Sequence, residues 1–146
     1  MYEDLIEKMK VTLATSYAFY LKAHNYHWNV EGNNFSEYHT FFGNLYEEVF
    51  GSIDSMAEQI RALDSYAPGS FSRYLQLSTI VDELSVPNSS VMVQRLLEDN
   101  DKVISALRSA FEESEKQKMY GLSDFLTQRL DAHSKHRWML KALSKG

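Results

Sequence analysis

The chain has 146 residues, with 15 Lys and Arg against 20 Asp and Glu, a net charge of −5 and no Cys. This length fits a single domain, and the negative charge argues against a nucleic-acid binder that relies on overall charge. Without Cys there are no disulfides, thiolate metal sites or Cys nucleophiles, so any metal chemistry must use His and carboxylates. No stretch approaches the roughly 20 apolar residues of a membrane span, and the N-terminus is too charged for a secretory signal, so we expect a cytoplasmic protein.

The chain carries only 6 Gly and 2 Pro, too few to punctuate the many short strands of a sandwich or barrel. Four breaks are predicted, at residues 31–34, 66–70, 85–89 and 120–123. Apolar residues recur at helical spacing before the first break, as at Leu5, Met9 and Leu13, and again between the third and fourth breaks. The sequence therefore predicts four long helices, with a short helix over residues 71–78 in the connection between the second and third.

Four helices with one long crossover are typical of the ferritin-like four-helix bundle, an all-α fold in which metal ligands project from facing helices. The usual signature of an intrachain di-iron centre is Glu followed three residues later by His. No Glu in this chain has His at that position, so we expect no such centre within one chain.

Two separated groups of metal-ligand residues remain: His27 with His39, and Asp54 with Glu58. The two histidines lie at similar distances on either side of the first break, so an antiparallel helix pair places them at nearly the same height. Asp54 and Glu58 are four residues apart on one helix face, where two carboxylates can converge on a cation. Asp54 follows His39 by 15 residues, or about 22 Å along a helix, so one chain cannot close a site from both groups.

If all four residues hold one metal centre, two subunits must pack antiparallel about a two-fold axis and form two identical sites. The plain alternatives are a structural role for each histidine and a solvated helix face for the two carboxylates. His24 could form an extra metal pair with His27, and His133 with His136, but these residues are interpreted as partly exposed or structural.

Segment 27–39, HWNVEGNNFSEYH, resembles the HWNVxGxxFxxxH signature of the Dps family, the DNA-binding proteins from starved cells, also called miniferritins. Segment 54–63, DSMAEQIRAL, is similar to that family's DxxAERI segment, and residues 123–140 are similar to its C-terminal pattern. The resemblance spans nearly the whole chain and implies one ferritin-like domain over residues 1–146.

The resemblance implies that His27 and His39 are ferroxidase ligands from one subunit, and that Asp54 and Glu58 come from its two-fold mate. It further implies a hollow homododecamer that oxidises Fe(II) with hydrogen peroxide or oxygen, stores ferric iron and protects against oxidative damage. Zinc is a candidate competitor for the iron site. By the same resemblance Trp28 lies near the centre, where it would intercept radicals; the alternative is an ordinary core aromatic.

The chain departs from the family pattern four residues after His39, where Gly43 replaces the usual carboxylate. This leaves open an alternative function, a structural or metal-sequestering cage with impaired ferroxidase activity. Glu47 is one turn away, but Glu47 and Glu48 are more simply interpreted as a surface acidic pair. Gly43 and Gly51 weaken the second helix, which suggests close approach of a helix or subunit.

The other departure is at the N-terminus, where the helical pattern begins by Glu3 or Leu5 and leaves no Lys-rich tail. A cage of negatively charged subunits would repel DNA phosphates, so we expect no DNA binding at physiological salt.

Overall fold

The computed structural model describes all 146 residues and consists of five helices. They are α1 (Glu3–Asn29), α2 (Phe35–Ala62), α3 (Phe71–Leu77), α4 (Ser89–Lys116) and α5 (Tyr120–Leu143). The predicted all-α architecture, with four long helices and a short one in the crossover, is confirmed. None of the helices combines the length and the apolar character needed to cross a bilayer.

The core lies between the four long helices and contains 23 buried apolar residues. In the chain, α1 packs against α2 and α4, α4 packs against α5, and the short α3 rests on α1. Phe19, Phe42 and Leu126 are among the fully buried side chains and come from three different helices. Burying large side chains of this kind stabilises the fold by roughly 1.5–3 kcal/mol each.

The helix ends follow the predicted breaks closely, with one exception. Gly32 adopts a φ of +119°, a left-handed conformation that glycine tolerates, in the turn between α1 and α2. The Asn88 side chain accepts a hydrogen bond from the backbone N–H of Val91 and caps α4. The exception is the fourth predicted break, residues 120–123, which lies a few residues after the observed one. Helix α4 ends at Lys116, and Gly121 lies inside the first turn of α5.

The crossover between α2 and α4 is tied to α1 by polar side chains. Tyr26 donates a hydrogen bond to Glu83 at 2.6 Å, and Glu83 also pairs with Arg95. Lys22 donates to the carbonyl of Val81 at 2.9 Å and forms a buried ion pair with an aspartate of α4. These bonds hold the C-terminal half of α1, which carries His27, in a fixed position relative to the crossover.

Candidate metal centre

His27 near the end of α1 and His39 near the start of α2 lie against each other, with ring centroids 3.8 Å apart and an angle of 16° between the ring planes. His27 Nδ1 lies 2.6 Å from the carbonyl oxygen of His39, and His39 Nδ1 lies 2.6 Å from the carbonyl oxygen of His27. A carbonyl oxygen can only accept, so both Nδ1 atoms carry a proton, and in the neutral form of each ring Nε2 keeps a free lone pair. Neither Nε2 atom has a hydrogen-bond partner in the chain, and both are therefore available to a metal ion. We call His27 and His39 the reciprocal histidine pair.

Gly43 faces His27 from the next turn of α2. A Cβ atom at position 43 would lie 3.0 Å from both Cε1 and Nδ1 of His27. The predicted close approach at Gly43 is therefore confirmed, and its partner is the imidazole ring. Gly51 has no atom within 4 Å of its equivalent position, so the prediction finds no support there within the chain.

Asp54 and Glu58, the acidic pair, are exposed near the C-terminal end of α2. No group of three or more His, Asp or Glu side chains in the chain is arranged to hold a metal ion. The structure thus brings His27 and His39 together, and it leaves the acidic pair apart from them.

A row of rings runs along the outer face of α1 and α2 between these two groups. His24 stacks on Tyr46 at a centroid distance of 4.0 Å and lies 3.8 Å from Trp28, and Tyr20 lies 4.9 Å from Phe50. We call these five residues the aromatic row. Trp28 is 59% exposed and Phe50 is 52% exposed, so the interpretation of Trp28 as a core aromatic is wrong. Burial, together with the neighbouring His27, lowers the pKa of His24.

Glu48 is exposed, as the interpretation of Glu47 and Glu48 as a surface acidic pair predicts, but its carboxylate also pairs with side chains of α5. Arg129 of α5 donates two hydrogen bonds to the Glu48 carboxylate, at 2.7 and 3.0 Å, and His136 Nε2 lies 2.7 Å from the same carboxylate. Burial alone would raise the pKa of Glu48, but the hydrogen bonds from His136 and Arg129 outweigh it and hold the pKa well below its usual value. Glu47, its neighbour in sequence, is exposed.

His133 extends this network into the core. Its Nε2 accepts from Arg129 at 3.2 Å, and its Nδ1 donates to Asn100 of α4 at 2.7 Å. His133 is fully buried and His136 is 6% exposed, so the structural interpretation of these residues holds and the expectation of partial exposure is wrong. Burial, and secondarily the positive charge of Arg129, lowers the pKa of His133 well below its usual value. We call Glu48, Arg129, His133 and His136 the Glu48 cluster.

Sequence reasoning missed this cluster because its members are far apart in the chain. The i, i+3 spacing of His133 and His136 was visible, but their carboxylate partner is on α2 and precedes them by more than 80 positions. Arg129 lies on a helix face that also carries Leu122 and Leu126, and its charge there was the only local signal that an anion lies opposite it.

The ferritin-like domain family matches residues 6–145, nearly the whole chain. The chain belongs to the ferritin-like domain family. A protein named DNA protection during starvation protein 2, from Bacillus anthracis, is 29% identical over 97% of this chain and 97% of its own length. An uncharacterized low temperature-induced protein of Nostoc is 33% identical over 99% of this chain and 82% of its own length.

The ferritin-like fold is also found in a solved Dps protein of Vibrio cholerae, described as a member of a superfamily of ferritin-like diiron-carboxylate proteins. It superposes with a TM-score of 0.93 at 27% identity, over 97% of this chain and 89% of the other. The resemblance to Dps proteins seen in the sequence and the predicted ferritin-like fold are both confirmed.

Proposed function

We propose that this protein is a Dps-like ferroxidase and iron-storage protein that binds Fe(II) between two subunits, oxidises it and keeps the ferric product inside a hollow dodecamer. The observation that carries the proposal is the reciprocal histidine pair, in which two free Nε2 atoms are aimed by hydrogen bonds on the opposite side of each ring. Metal-binding histidines in proteins are oriented in this way, commonly by backbone carbonyls.

The chemistry of the four side chains suits iron. Imidazole nitrogen and carboxylate oxygen both bind Fe(II), and oxygen ligands favour Fe(III) once it has formed. With hydrogen peroxide as oxidant, two Fe(II) ions give up two electrons, the O–O bond breaks, and uptake of two protons yields two water molecules. Zn(II) takes the same ligand types, and we expect it to compete with iron for the site.

The aromatic row supports assembly about a two-fold axis. Phe50 and Asp54 are one helical turn apart, so the exposed Phe50 ring occupies the same face of α2 as the acidic pair. A contiguous exposed apolar surface of this kind marks a protein interface. A second copy packed antiparallel on it would bring its Asp54 and Glu58 to the first copy's His27 and His39, and the symmetry would create the same site twice.

Gly43 bears on how active the site is. The chain offers no carboxylate at this position, and the contact with His27 leaves no room for a side chain unless the ring moves. A second iron at each site would therefore be held by fewer protein ligands. The alternative function is a cage that sequesters metal with little oxidation. The net charge of −5 supports a role without DNA binding.

A subunit-complementation assay tests the proposal. We expect His27→Ala/His39→Ala and Asp54→Ala/Glu58→Ala chains each to oxidise Fe(II) no faster than buffer, with oxygen or with peroxide. When the two chains are refolded together in equal amounts, half the dimers are mixed and each has one intact site, so about one quarter of the wild-type rate should return.

The exposed Glu47 on the same helix provides the matched control, and Glu47→Ala should oxidise iron at the wild-type rate. Light scattering of the wild type should give twelve subunits. Activity in either double variant alone, or no recovery on mixing, would show that the site is assigned to the wrong residues. A wild-type protein that binds Fe(II) without accelerating its oxidation would favour the sequestering cage.

A further inference from the structure

Four tyrosines form a row of neighbouring rings that begins beside His27 and ends on α3. The centroid of the Tyr46 ring lies 5.2 Å from that of His27, and the Tyr20 ring lies 6.1 Å from that of Tyr46. Tyr17 follows at 5.3 Å from Tyr20, and the Tyr74 ring of α3 stacks on Tyr17 at 4.8 Å. All four separations fall within the range of direct aromatic contact, about 4.5–7 Å. We call Tyr46, Tyr20, Tyr17 and Tyr74 the tyrosine path.

The hydroxyl groups of the tyrosine path have no structural role within the chain. None of the four has a hydrogen-bond partner in the chain, whereas the buried Tyr26, outside the path, donates to Glu83 at 2.6 Å. None of them is a buried polar atom without a partner either, so water reaches all four hydroxyls. Packing requires the rings and not the hydroxyls, and it therefore leaves four adjacent phenols unexplained.

The phenols of the path are held in their protonated form at neutral pH. Burial raises the pKa of Tyr20 above its usual value, with further contributions from Tyr17 and Tyr46, and burial together with Tyr17 does the same to the pKa of Tyr74. A protonated phenol can give up an electron together with its proton and become a phenoxyl radical. Phenylalanine, which has no hydroxyl, cannot.

The missing carboxylate at Gly43 makes a one-electron reaction relevant to this site. One Fe(II) ion on His27 and His39, without a second iron beside it, gives hydrogen peroxide one electron. The O–O bond then breaks and leaves Fe(III), hydroxide and a hydroxyl radical. The radical takes a hydrogen atom from the adjacent phenol of Tyr46, which yields water and a tyrosyl radical next to the metal ligands.

We propose that the tyrosine path carries this oxidising equivalent away from the reciprocal histidine pair to α3, where a second Fe(II) ion quenches it. The inference rests on the proposed ferroxidase function and identifies a route for the second electron. At each step one tyrosine regains an electron and a proton, and the next tyrosine loses one of each. Between His27 and Tyr17 the path spans ten residues of α1, or about 15 Å along the helix axis.

The far end of the path is open to a small reductant. A cavity of about 230 Å³ lies beside the stacked rings of Tyr17 and Tyr74, and Asp82 lies on its wall. The negative charge of Asp82 favours the approach of a cation such as Fe(II). That ion gives one electron to the Tyr74 radical, which takes a proton from water and becomes a phenol again. In sum, two Fe(II) ions, one hydrogen peroxide and two protons give two Fe(III) ions and two water molecules.

Replacing single tyrosines by Phe tests the path, because each change removes a hydroxyl and keeps the ring. The protein is mixed with limiting Fe(II) and excess peroxide, tyrosyl radicals are followed by freeze-quench electron paramagnetic resonance, and oxidised residues are located by peptide mass spectrometry. In the wild type Tyr17 and Tyr74 should both be oxidised. Tyr20→Phe should protect both, whereas Tyr17→Phe should protect Tyr74 and leave Tyr20 reactive. Tyr38→Phe, on α2 beside His39 but outside the path, is the matched control and should leave the pattern unchanged.

A second arm of the test needs no iron. The chain has no Cys, so Glu47→Cys provides a single exposed thiol next to Tyr46, to which a ruthenium photo-oxidant can be attached. Illumination with a sacrificial electron acceptor should oxidise Tyr46 first and Tyr74 later. Adding Tyr20→Phe should confine the oxidation to Tyr46, and adding Tyr38→Phe should not.

Photochemical oxidation that never leaves Tyr46, or that reaches Tyr74 equally with and without the Tyr20 hydroxyl, would overturn the proposal. Equal oxidation of Tyr74 by Fe(II) and peroxide in Tyr20→Phe and in the wild type would also overturn it. If photochemical transfer requires Tyr20 but the wild type does not accelerate Fe(II) oxidation, the electron path is supported and the proposed ferroxidase function is wrong.

Discussion

The reciprocal histidine pair and the Glu48 cluster each contain two histidines, but their surroundings differ. In the Glu48 cluster the carboxylate, the guanidinium and both imidazoles come from one chain, and three of the four side chains are more than nine-tenths buried. The reciprocal histidine pair has no anionic partner in the chain, and exposed rings lie beside it. A polar group completed within the subunit stabilises that subunit, whereas an incomplete one next to apolar surface can be completed by a second subunit.

Removing the Glu48 carboxylate should destabilise the subunit more than any other change in the Glu48 cluster. Glu48→Ala leaves the Arg129 guanidinium buried without its anion, and we expect a loss of about 3 kcal/mol in the free energy of unfolding. Arg129→Ala should cost less, because the Glu48 carboxylate it leaves unpaired is partly exposed and can be hydrated. Urea denaturation followed by circular dichroism measures both.

The exposed neighbour again supplies the control, since Glu47→Ala should change stability by no more than about 0.5 kcal/mol. A Glu48→Ala chain as stable as the Glu47→Ala chain would mean that the carboxylate does not compensate the buried charge of Arg129.

The fold could be predicted from the sequence because local signals mark the ends of the helices. Gly32 and Pro87 fall in loops between long apolar repeats, and the predicted helices match the observed ones to within a few residues. The proximity of His27 and His39 could be predicted for the same reason, since a short turn fixes the register of the two helices it joins. The boundary near Gly121 was misplaced because Lys118, and not a glycine, adopts the left-handed conformation that follows α4.

The Glu48 cluster could not be predicted, because no short-range pattern connects α2 to α5. Which residue of α5 faces Glu48 depends on the rotation and axial shift of two helices that are far apart in sequence. The contact of Gly43 with His27 could be predicted only in part. The sequence shows that a carboxylate is missing at position 43, but the steric reason for a glycine there required the position of the imidazole ring.

Gly43 offers a smaller perturbation, on the side of the reciprocal histidine pair. In Gly43→Ala the new methyl group presses on a ring that is held at 2.6 Å to the His39 carbonyl and stacked on the His39 ring. We expect His27 to be displaced and the initial rate of Fe(II) oxidation to fall about tenfold, equivalent to 1.4 kcal/mol in the barrier. Stopped-flow absorbance of the ferric product measures the rate.

Gly51→Ala is the matched control on the same helix, because its methyl group meets no atom of the chain. That variant should gain about 1 kcal/mol of stability from helix propensity and keep the wild-type oxidation rate. If Gly43→Ala shows the same gain and the same rate, the contact with His27 has no influence on the site.

The smallest expected effect is a pH dependence of stability that originates in the Glu48 cluster. The pKa of His133 is lower in the folded chain than the usual 6.5, because burial and the charge of Arg129 disfavour its protonation. Below pH 6.5 the unfolded chain therefore binds a proton that the folded chain does not, and stability falls as the pH falls. One such group contributes up to about 1.4 kcal/mol per pH unit.

Urea midpoints at pH 7.5, 6.5 and 5.5 measure this slope. His133→Gln should flatten it between pH 6.5 and 5.5, whereas His24→Gln, which removes a less buried histidine, should leave most of it in place. Glu48 contributes in a separate window, because its lowered pKa means that its stabilising effect is lost only as the pH falls below about 4.5. An unchanged slope in His133→Gln between pH 6.5 and 5.5 would place the acid sensitivity outside the Glu48 cluster.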